Sequence, residues 1–178
     1  LFPASPPISP AMSTPTYGTF TTALAAGKLE PAYYFLGAEN VLKDEATTAL
    51  LDKVLDPGLR DFNLDIRSAQ QLEPEDVLSL CTTLPMMADR RVVVVRDVEA
   101  WKRKTRGKKA VLEYLQKPIP ETLLVLVEGA ASDAKDDKPD TDLAKHAYTI
   151  AFAELTVEEA TRWVAREAKA MGISFAPG

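Results

Sequence analysis

The sequence has few of the side chains that usually build a catalytic or metal centre. It contains one cysteine, Cys81, and one histidine, His146, among 178 residues. One cysteine excludes an internal disulfide and a multi-cysteine zinc site, and one histidine excludes a two-histidine zinc motif. A single thiol suits a protein kept in a reducing compartment, so we predict a cytoplasmic location.

Long apolar runs are also missing. The most apolar runs, residues 92–95 and 123–127, are short and flanked by charge, and neither approaches the roughly 18 residues that a membrane span requires. Residues 1–16 contain no basic side chain and are interrupted by proline, so they fail as a signal peptide. We expect no membrane partner, and we interpret residues 1–17 as a flexible, proline-rich tail.

Basic residues are in deficit. The 21 Lys and Arg against 26 Asp and Glu give a net charge of −5 at pH 7, so any contact with nucleic acid would have to be local. The 46% of hydrophobic and 26% of charged residues are the proportions of a folded globular chain. The length suits one generous domain, or one domain and part of another.

Short apolar runs alternate with longer segments of helical spacing from residue 17 to residue 172. This alternation is typical of a parallel α/β sheet flanked by helices. The continuously apolar runs predict central strands, whereas polar Asn63 and Asp65 indicate a more exposed second strand. The five predicted strands span residues 32–36, 64–67, 91–96, 122–127 and 149–152.

Apolar spacing also predicts the helices. Val77, Leu80, Cys81 and Leu84 fall at i, i+3, i+4 and i+7, so a helix should bury that face and stop at Pro85. Further helices are predicted over residues 20–27, 42–54 and 108–116.

The C-terminal part of the sequence combines a polar loop with a strongly marked helix. Residues 132–142, rich in Asp and Lys, are interpreted as a surface loop. Thr156 can cap the last helix, Glu159 can complete a capping box, and Gly172 supplies the stop.

The strand, glycine and helix at residues 32–46 occupy the place where a nucleotide-binding fold has its phosphate loop. Laying GxxxxGK[ST] on Gly37 puts Leu42 at the second glycine, Lys43 at the lysine and Asp44 at the hydroxyl residue. Leu42 obstructs close backbone approach to phosphate, and Asp44 adds negative charge. The residues favour a degenerate, non-binding loop and no cofactor, with an active NTPase as an alternative.

No other set of residues indicates catalysis. Asp97 and Glu99 follow the strand at residues 91–96, where ATPases hold magnesium, but without a phosphate loop the pattern favours surface charge over a metal site. His146 follows a predicted loop and Cys81 lies on a buried helix face, so neither suggests a nucleophile and base pair. We predict no catalytic residue and no metal site.

A basic run is the one place where this acidic chain could contact phosphate. The segment WKRKTRGKK, residues 101–109, sets six basic residues beside Trp101. They are Lys102, Arg103, Lys104, Arg106, Lys108 and Lys109. Such runs usually form a solvated turn that leads into a helix, and this interpretation is favoured. A nucleic-acid-binding module that uses residues 101–109 is the alternative function.

Two adjacent large apolar residues, Met86 and Met87, follow Pro85. Neighbours in an extended segment point in opposite directions, so at least one methionine should be exposed. Flexible, polarizable methionine suits insertion into an apolar pocket of a partner. Taken alone, the pair favours gap-filling in the core, with a partner contact as the alternative.

Several stretches together resemble the delta subunit of bacterial DNA polymerase III, a component of the clamp loader. They are PAYYFLGAENVLKDEA at residues 31–46, DPGLRDFNLDI at 56–66, TLPMMADRRVVVVRDVE at 83–99 and LLVLVE at 123–128. The resemblance implies a degenerate AAA+-like domain of the P-loop NTPase type at residues 18–154. It also implies that residues 155–178 are the truncated start of a helical lid.

The resemblance implies a partner and a role as well. In that family two bulky apolar residues insert into a pocket on the sliding clamp, the ring-shaped beta subunit, and favour ring opening. The role carries over to Met86 and Met87, framed by Leu84, Pro85 and Arg90. The implied protein is a noncatalytic clamp-loader subunit acting in DNA replication. It would assemble with the other loader subunits. Contact with DNA and DNA-directed DNA polymerase activity would belong to the complex rather than to this subunit alone.

Overall fold

We describe a computed structural model of the chain, which covers residues 14–102, 104–129 and 139–173. Most of the predicted tail, Arg103 and residues 132–138 of the predicted loop lie outside the described residues. No helix among the described residues is long and apolar enough to cross a membrane. The elements, in chain order, are α1 (Tyr17–Ala25), β1 (Ala32–Leu36), α2 (Asn40–Val54), α3 (Arg60–Asn63), β2 (Leu64–Ser68), α4 (Asp76–Thr82), β3 (Arg91–Arg96), α5 (Thr105–Gln116), β4 (Thr122–Val127), α6 (Thr141–His146), β5 (Tyr148–Ala151) and α7 (Val157–Ala170).

The five strands of the described residues form one parallel sheet in the order β2-β3-β4-β1-β5. All six residues of β4 are buried, and β4 lies at the centre of the sheet. Strand β2 lies at an edge and leaves Ile66 45% exposed. The predicted α/β class with a parallel sheet is confirmed. The prediction succeeded because continuously apolar strands need cover on both faces.

The sheet has a separate hydrophobic core on each face. On one face, α1 and α2 cover β-strand residues that include Phe35, Val94 and Val125. Phe20 of α1 packs edge-on against Tyr33 and Phe35, with ring centroids 5.8 and 5.6 Å away. On the other face, α4, α5 and α6 pack on the alternate strand residues, and this core also contains Val98 and Trp101. The alternation of the strand side chains therefore divides the sheet residues between two helical layers.

The sequence predicted most of the helices and strands, but some of their first and last residues were placed wrongly. Strands β1, β3 and β4 have the predicted bounds, whereas β5 begins one residue earlier and α5 three residues earlier than predicted. Pro15 belongs to the fold rather than to the tail, since its carbonyl accepts a hydrogen bond from the Ala151 N–H. Helix α6 was not predicted, and its first two residues, Thr141 and Asp142, fall within the predicted loop. Asp140 caps it by accepting from the N–H groups of Asp142 and Leu143, and His146 is its last residue.

Two residues lie in surroundings opposite to those predicted. Helix α4 buries Val77 and Cys81 but ends at Thr82, so Leu84 is not on its core face and is 73% exposed. Thr83 already has extended backbone geometry, and Pro85 disfavours helical geometry in the residue before it, Leu84. Asn63 is not an exposed strand residue: it ends α3 and is fully buried.

Helix α7 is joined to the rest of the molecule by polar contacts with α2. The predicted capping box forms, with Thr156 and Glu159 each accepting from the backbone N–H of the other. The Trp163 Nε1–H donates to Glu45 Oε2 at 2.9 Å, and Arg166 donates to both Glu45 oxygens at 2.9 and 2.8 Å. Glu45 of α2 therefore positions α7 through two side chains one helical turn apart.

We predict that Cys81 is unreactive in the folded protein. Its side chain is fully buried, and burial raises the pKa of the thiol to about 12. At pH 8 the thiolate fraction is then about one in ten thousand, and thiolate is the reactive form. A disulfide reagent should leave the native chain unlabelled at pH 8 and label one thiol per chain in urea. Rapid labelling without denaturant would contradict the α4 packing.

Candidate functional site

The two segments singled out by the sequence lie at opposite ends of the parallel strands. We call the side of the sheet where the strands end the carboxyl edge and the side where they begin the amino edge. Gly37 and Lys43 follow β1 at the edge where the carboxyl ends of the parallel strands meet. Met86 and Met87 precede β3 and lie at the amino edge. Strand β3 has six residues, which at about 3.3 Å per residue separate the two edges by roughly 20 Å. We call residues 83–90 the methionine loop.

At the carboxyl edge, the Lys43 side chain is buried and binds backbone carbonyls of the fold. Its side chain is 1% exposed, and its Nζ donates to the carbonyls of Gly37 at 2.8 Å and Glu128 at 2.5 Å. Burial lowers the pKa of this ammonium group. In a phosphate loop the corresponding lysine reaches the nucleotide phosphates, whereas Lys43 joins the turn after β1 to the end of β4.

Gly37 is required by packing. Its φ is +112°, a conformation that favours glycine, and a Cβ at this position would collide with the backbone carbonyl of Phe152. The chain after β5 is held close by the Phe152 N–H, which donates to the Leu36 carbonyl at 2.8 Å. The glycine of the apparent phosphate loop therefore makes room for neighbouring backbone rather than for phosphate.

The surrounding side chains do not fit a nucleotide with magnesium. Leu42 is buried, and Asp44 pairs with Arg96 at 2.6 Å. Pocket volumes for small molecules are typically about 300 Å³ or more. The cleft here holds about 180 Å³, and it sets three carboxylates against two cations. It is lined by Asn40, Lys43, Asp44, Arg96, Asp97, Val127, Glu128 and Gly129. A triphosphate would meet excess negative charge, a lysine already bound and no hydroxyl ligand at position 44.

Asp97 and Glu99 also act within the fold. Asp97 accepts a hydrogen bond from the Ser68 hydroxyl at 2.6 Å, and Glu99 accepts one from the Gly129 N–H at 2.9 Å. They join the ends of β2 and β4 to the turn after β3. The described residues contain no group of three or more His, Cys, Asp or Glu side chains arranged to hold a metal ion.

The basic residues of this run that the structure describes, which exclude Arg103, are dispersed rather than gathered into one patch. Trp101 is fully buried and donates to the Leu72 carbonyl, so it offers no surface for stacking on a base. Lys108 is 7% exposed and contacts Asp140 at 2.8 Å and Asp142 at 3.2 Å. Burial opposes the charge of this ammonium group, but the hydrogen bonds that it donates to both carboxylates, together with their negative charge, raise its pKa overall. Other lysine pairs are Lys102 with Glu128, Lys104 with Glu73 and Lys109 with Glu113. Arg106 is exposed.

At the amino edge, the methionine loop presents apolar side chains to solvent. Met86 is 52% exposed and Met87 78% exposed, and Leu84 is exposed beside them. Gap-filling in the core therefore describes neither methionine. Pro85 and Arg90 are half-buried. Met87 has a φ of +53°, a left-handed conformation that is costly for a side chain other than glycine or asparagine.

The residue that holds this loop was missed by the sequence. The buried Asn63 accepts from the Met86 N–H at 2.7 Å and donates to the Met86 carbonyl at 2.9 Å. Beside it, Arg91 donates to the Phe62 carbonyl at 3.3 Å and forms an ion pair with Asp65. Asn63 belongs to a turn-rich stretch without periodicity, and its partner is 23 residues away, so no local pattern identifies it.

Comparisons with known proteins identify the family of this chain. The family model of the DNA polymerase III delta subunit matches residues 33–153. The DNA polymerase III subunit delta of Bacillus subtilis is 29% identical over 153 residues, which cover 83% of this chain and 44% of that protein. The solved DNA clamp loader delta protein of Bacillus subtilis has a TM-score of 0.68 and 25% identity over 88% of this chain and 48% of that chain.

More distant structures share the fold alone. A DNA polymerase III gamma-subunit-related protein of Thermotoga maritima has a TM-score of 0.58 at 13% identity, covering 83% of this chain and 49% of its own. A RuvB variant from the same organism has a TM-score of 0.55 at 13% identity, covering 87% of this chain and 48% of its own.

The fold is thus of the AAA+ type, with a phosphate-loop-like turn whose lysine and glycine serve internal packing. The chain belongs to the family of the DNA polymerase III delta subunit, a component of the clamp loader. It spans about half the length of the relatives it matches.

We predict that Lys43→Met destabilises the fold. The substitution leaves two carbonyls without their donor, which should lower the free energy of unfolding by about 1–3 kcal/mol. Urea unfolding followed by circular dichroism measures the change. Lys53→Met, at an exposed position of the same helix, is the matched control and should stay within about 0.5 kcal/mol of the wild type. Equal stability of the two variants would contradict the internal role of Lys43.

We predict a similar contrast within the basic run. Lys108→Met removes one partner of a buried ion pair and leaves the Asp140 carboxylate without its counter-charge, at a cost of about 3 kcal/mol. Lys109→Met removes an exposed charge one residue away and should change stability by less than about 0.5 kcal/mol. Thermal and urea unfolding compare the two. If neither variant is destabilised, the Lys108–Asp140 ion pair does not contribute to the stability of the fold.

Proposed function

We propose that this chain binds the sliding clamp through the methionine loop and, as a noncatalytic clamp-loader subunit, favours opening of the ring. The observation that carries the proposal is the exposure of Met86 and Met87 on a chain of the delta-subunit family. Leu84, Pro85 and Arg90 frame the contact. The B. subtilis relative of known structure is a DNA clamp loader delta protein, which supports the same partner for this chain.

The apolar side chains supply the binding energy in this proposal. Burying a methionine side chain in a partner's apolar pocket is worth roughly 1.5–3 kcal/mol, so the pair carries enough to act as the centre of an interface. Leu84, also exposed, widens the apolar area beside them. Methionine is unbranched and flexible beyond its Cβ, so each side chain adapts to the shape of the pocket.

Ring opening follows from differential affinity. A ligand shifts an equilibrium only by the difference between its affinities for the two states. If the methionine loop fits the strained or opened clamp interface better than the closed one, its binding moves the ring toward opening. This step requires no nucleotide in this subunit, in agreement with a cleft whose lysine and carboxylates are used internally.

The other clamp-loader subunits are proposed as further partners on the basis of the family alone. The match covers 44% of the B. subtilis subunit, and no described residue of this chain is assigned to those contacts. Contact with DNA is assigned to the complex. Direct nucleic-acid binding through residues 101–109 receives less support, because Trp101 and Lys108 are buried and internally bonded.

We predict that the double substitution Met86→Ser and Met87→Ser abolishes clamp binding. Both side chains are exposed, so the fold should be unaffected while the apolar contact is lost. Surface plasmon resonance with the immobilised sliding clamp of the source organism measures the affinity. Val157→Ser with Met171→Ser is the matched control, since it removes two apolar side chains from the region of α7 that are also exposed, at 85% and 70%.

The outcomes separate the competing functions. Loss of binding in the methionine variant alone, with Cys81 still protected from labelling, supports the proposal. Unchanged clamp binding in that variant overturns it. DNA binding that weakens steeply with salt and is lost on Arg106→Glu with Lys109→Glu would instead favour the nucleic-acid module.

A further inference from the structure

We infer that Asn63 is a positioning residue for the clamp contact: its carboxamide fixes the backbone of Met86 and so holds the methionine loop in its binding shape. The inference rests on the proposed function of that loop. Asn63 contacts the loop through the Met86 backbone and is fully buried, so it acts through the methionines rather than on the clamp.

Both polar atoms of the Asn63 carboxamide are hydrogen-bonded. Its oxygen accepts from the Met86 N–H at 2.7 Å, and its nitrogen donates to the carbonyls of Met86 at 2.9 Å and Leu59 at 3.1 Å. An amide side chain has two N–H donors and one carbonyl, so each donor and the oxygen have a partner. Rotating the amide by half a turn would set oxygen against oxygen and N–H against N–H, which fixes a single orientation.

This pairing resists movement of the loop. If Met86 shifted, the oxygen and one N–H of Asn63 would lose their partners in a site that water does not reach, and unpaired buried polar groups are unfavourable. The opposite end of the loop is held by β3, where the Arg91 N–H donates to the Glu121 carbonyl at 2.8 Å. The exposed residues between them are therefore anchored on both sides.

The backbone of Met87 shows why such an anchor is needed. Its φ of +53° is unfavourable for methionine, and a free loop would relax out of it. Residues in such conformations persist where the surrounding structure imposes them, and they concentrate at binding sites. Asn63 holds the residue immediately before Met87, so it imposes the conformation at the point where the strain occurs.

The expected consequence is an effect on affinity without loss of any clamp-facing atom. If the loop samples other shapes, only the fraction in the binding shape is competent, and the apparent dissociation constant rises in inverse proportion to that fraction. Losing two hydrogen bonds to the loop should lower that fraction by about tenfold.

The experiment compares three variants with the wild type in clamp binding. Asn63→Leu keeps the side-chain size and removes every hydrogen bond, and Asn63→Ala repeats the loss without bulk. Tyr34→Phe is the matched control: it is also fully buried and loses two hydrogen bonds, one to Glu128 and one from the Asp140 N–H, far from the loop. We expect about tenfold weaker clamp binding for both Asn63 variants and unchanged binding for Tyr34→Phe.

A second readout separates positioning from general destabilisation. Methyl NMR of the methionines should show altered signals for Met86 and Met87 in the Asn63 variants, with Met171 unchanged. In the wild type, hydrogen exchange at the Met86 amide should be slower than at Met87 and Ala88, because the Met86 N–H is bonded to Asn63. Wild-type exchange at an unprotected rate would overturn the inference whether or not the variants fold.

Failure of this inference differs from failure of the proposed function. If the Met86→Ser, Met87→Ser chain loses clamp binding and the Asn63 variants bind as the wild type does, the clamp contact stands and the role of Asn63 is wrong. If the serine variant binds normally, the proposed function itself is wrong. Equal weakening by Tyr34→Phe would reduce the Asn63 effect to one of stability and overturn the positioning role.

Discussion

The shared direction of the strands in the sheet determines what each end of this molecule can do. Parallel strands end together, so the residues after β1, β3 and β4 meet at one edge and those before β2 and β3 meet at the other. The nucleotide-type positions lie at the first edge and the methionine loop at the second. Substitutions at the first edge need not alter the conformation of the methionine loop, provided that the sheet between the two edges stays intact.

Charged side chains at the first edge bind other groups within the fold. A buried ammonium group needs partners that replace water, and Lys43 has two carbonyls, from the turn after β1 and the end of β4. The same requirement explains Lys108, whose pairing with Asp140 fastens α5 to the start of α6. Counting charges along the sequence therefore overstates how many of them are free to meet an external phosphate.

The sequence predicted what depends on local pattern. The apolar runs of β1, β3 and β4 were located to the residue because burial on both faces demands unbroken hydrophobicity. The degenerate phosphate loop inferred from Leu42 and Asp44 stays a prediction. Helix α6 was missed because its polar composition resembles a loop and its cap involves only Asp140. Asn63 was misplaced because its burial comes from a contact 23 residues away, and nothing beside it in the chain indicates that contact.

Anchoring of the methionine loop bears directly on how a subunit could open a ring. A mobile loop would adapt equally to a closed and an opened partner, and a ligand with equal affinity for both states shifts neither. A loop fixed by Asn63 on one side and β3 on the other has one backbone shape. Under the proposed clamp contact, such a shape can fit one state of the ring better than the other, which differential affinity requires. The flexibility of methionine would then be confined to the side chains, where it would lower the cost of entering a pocket without removing a preference imposed by the backbone.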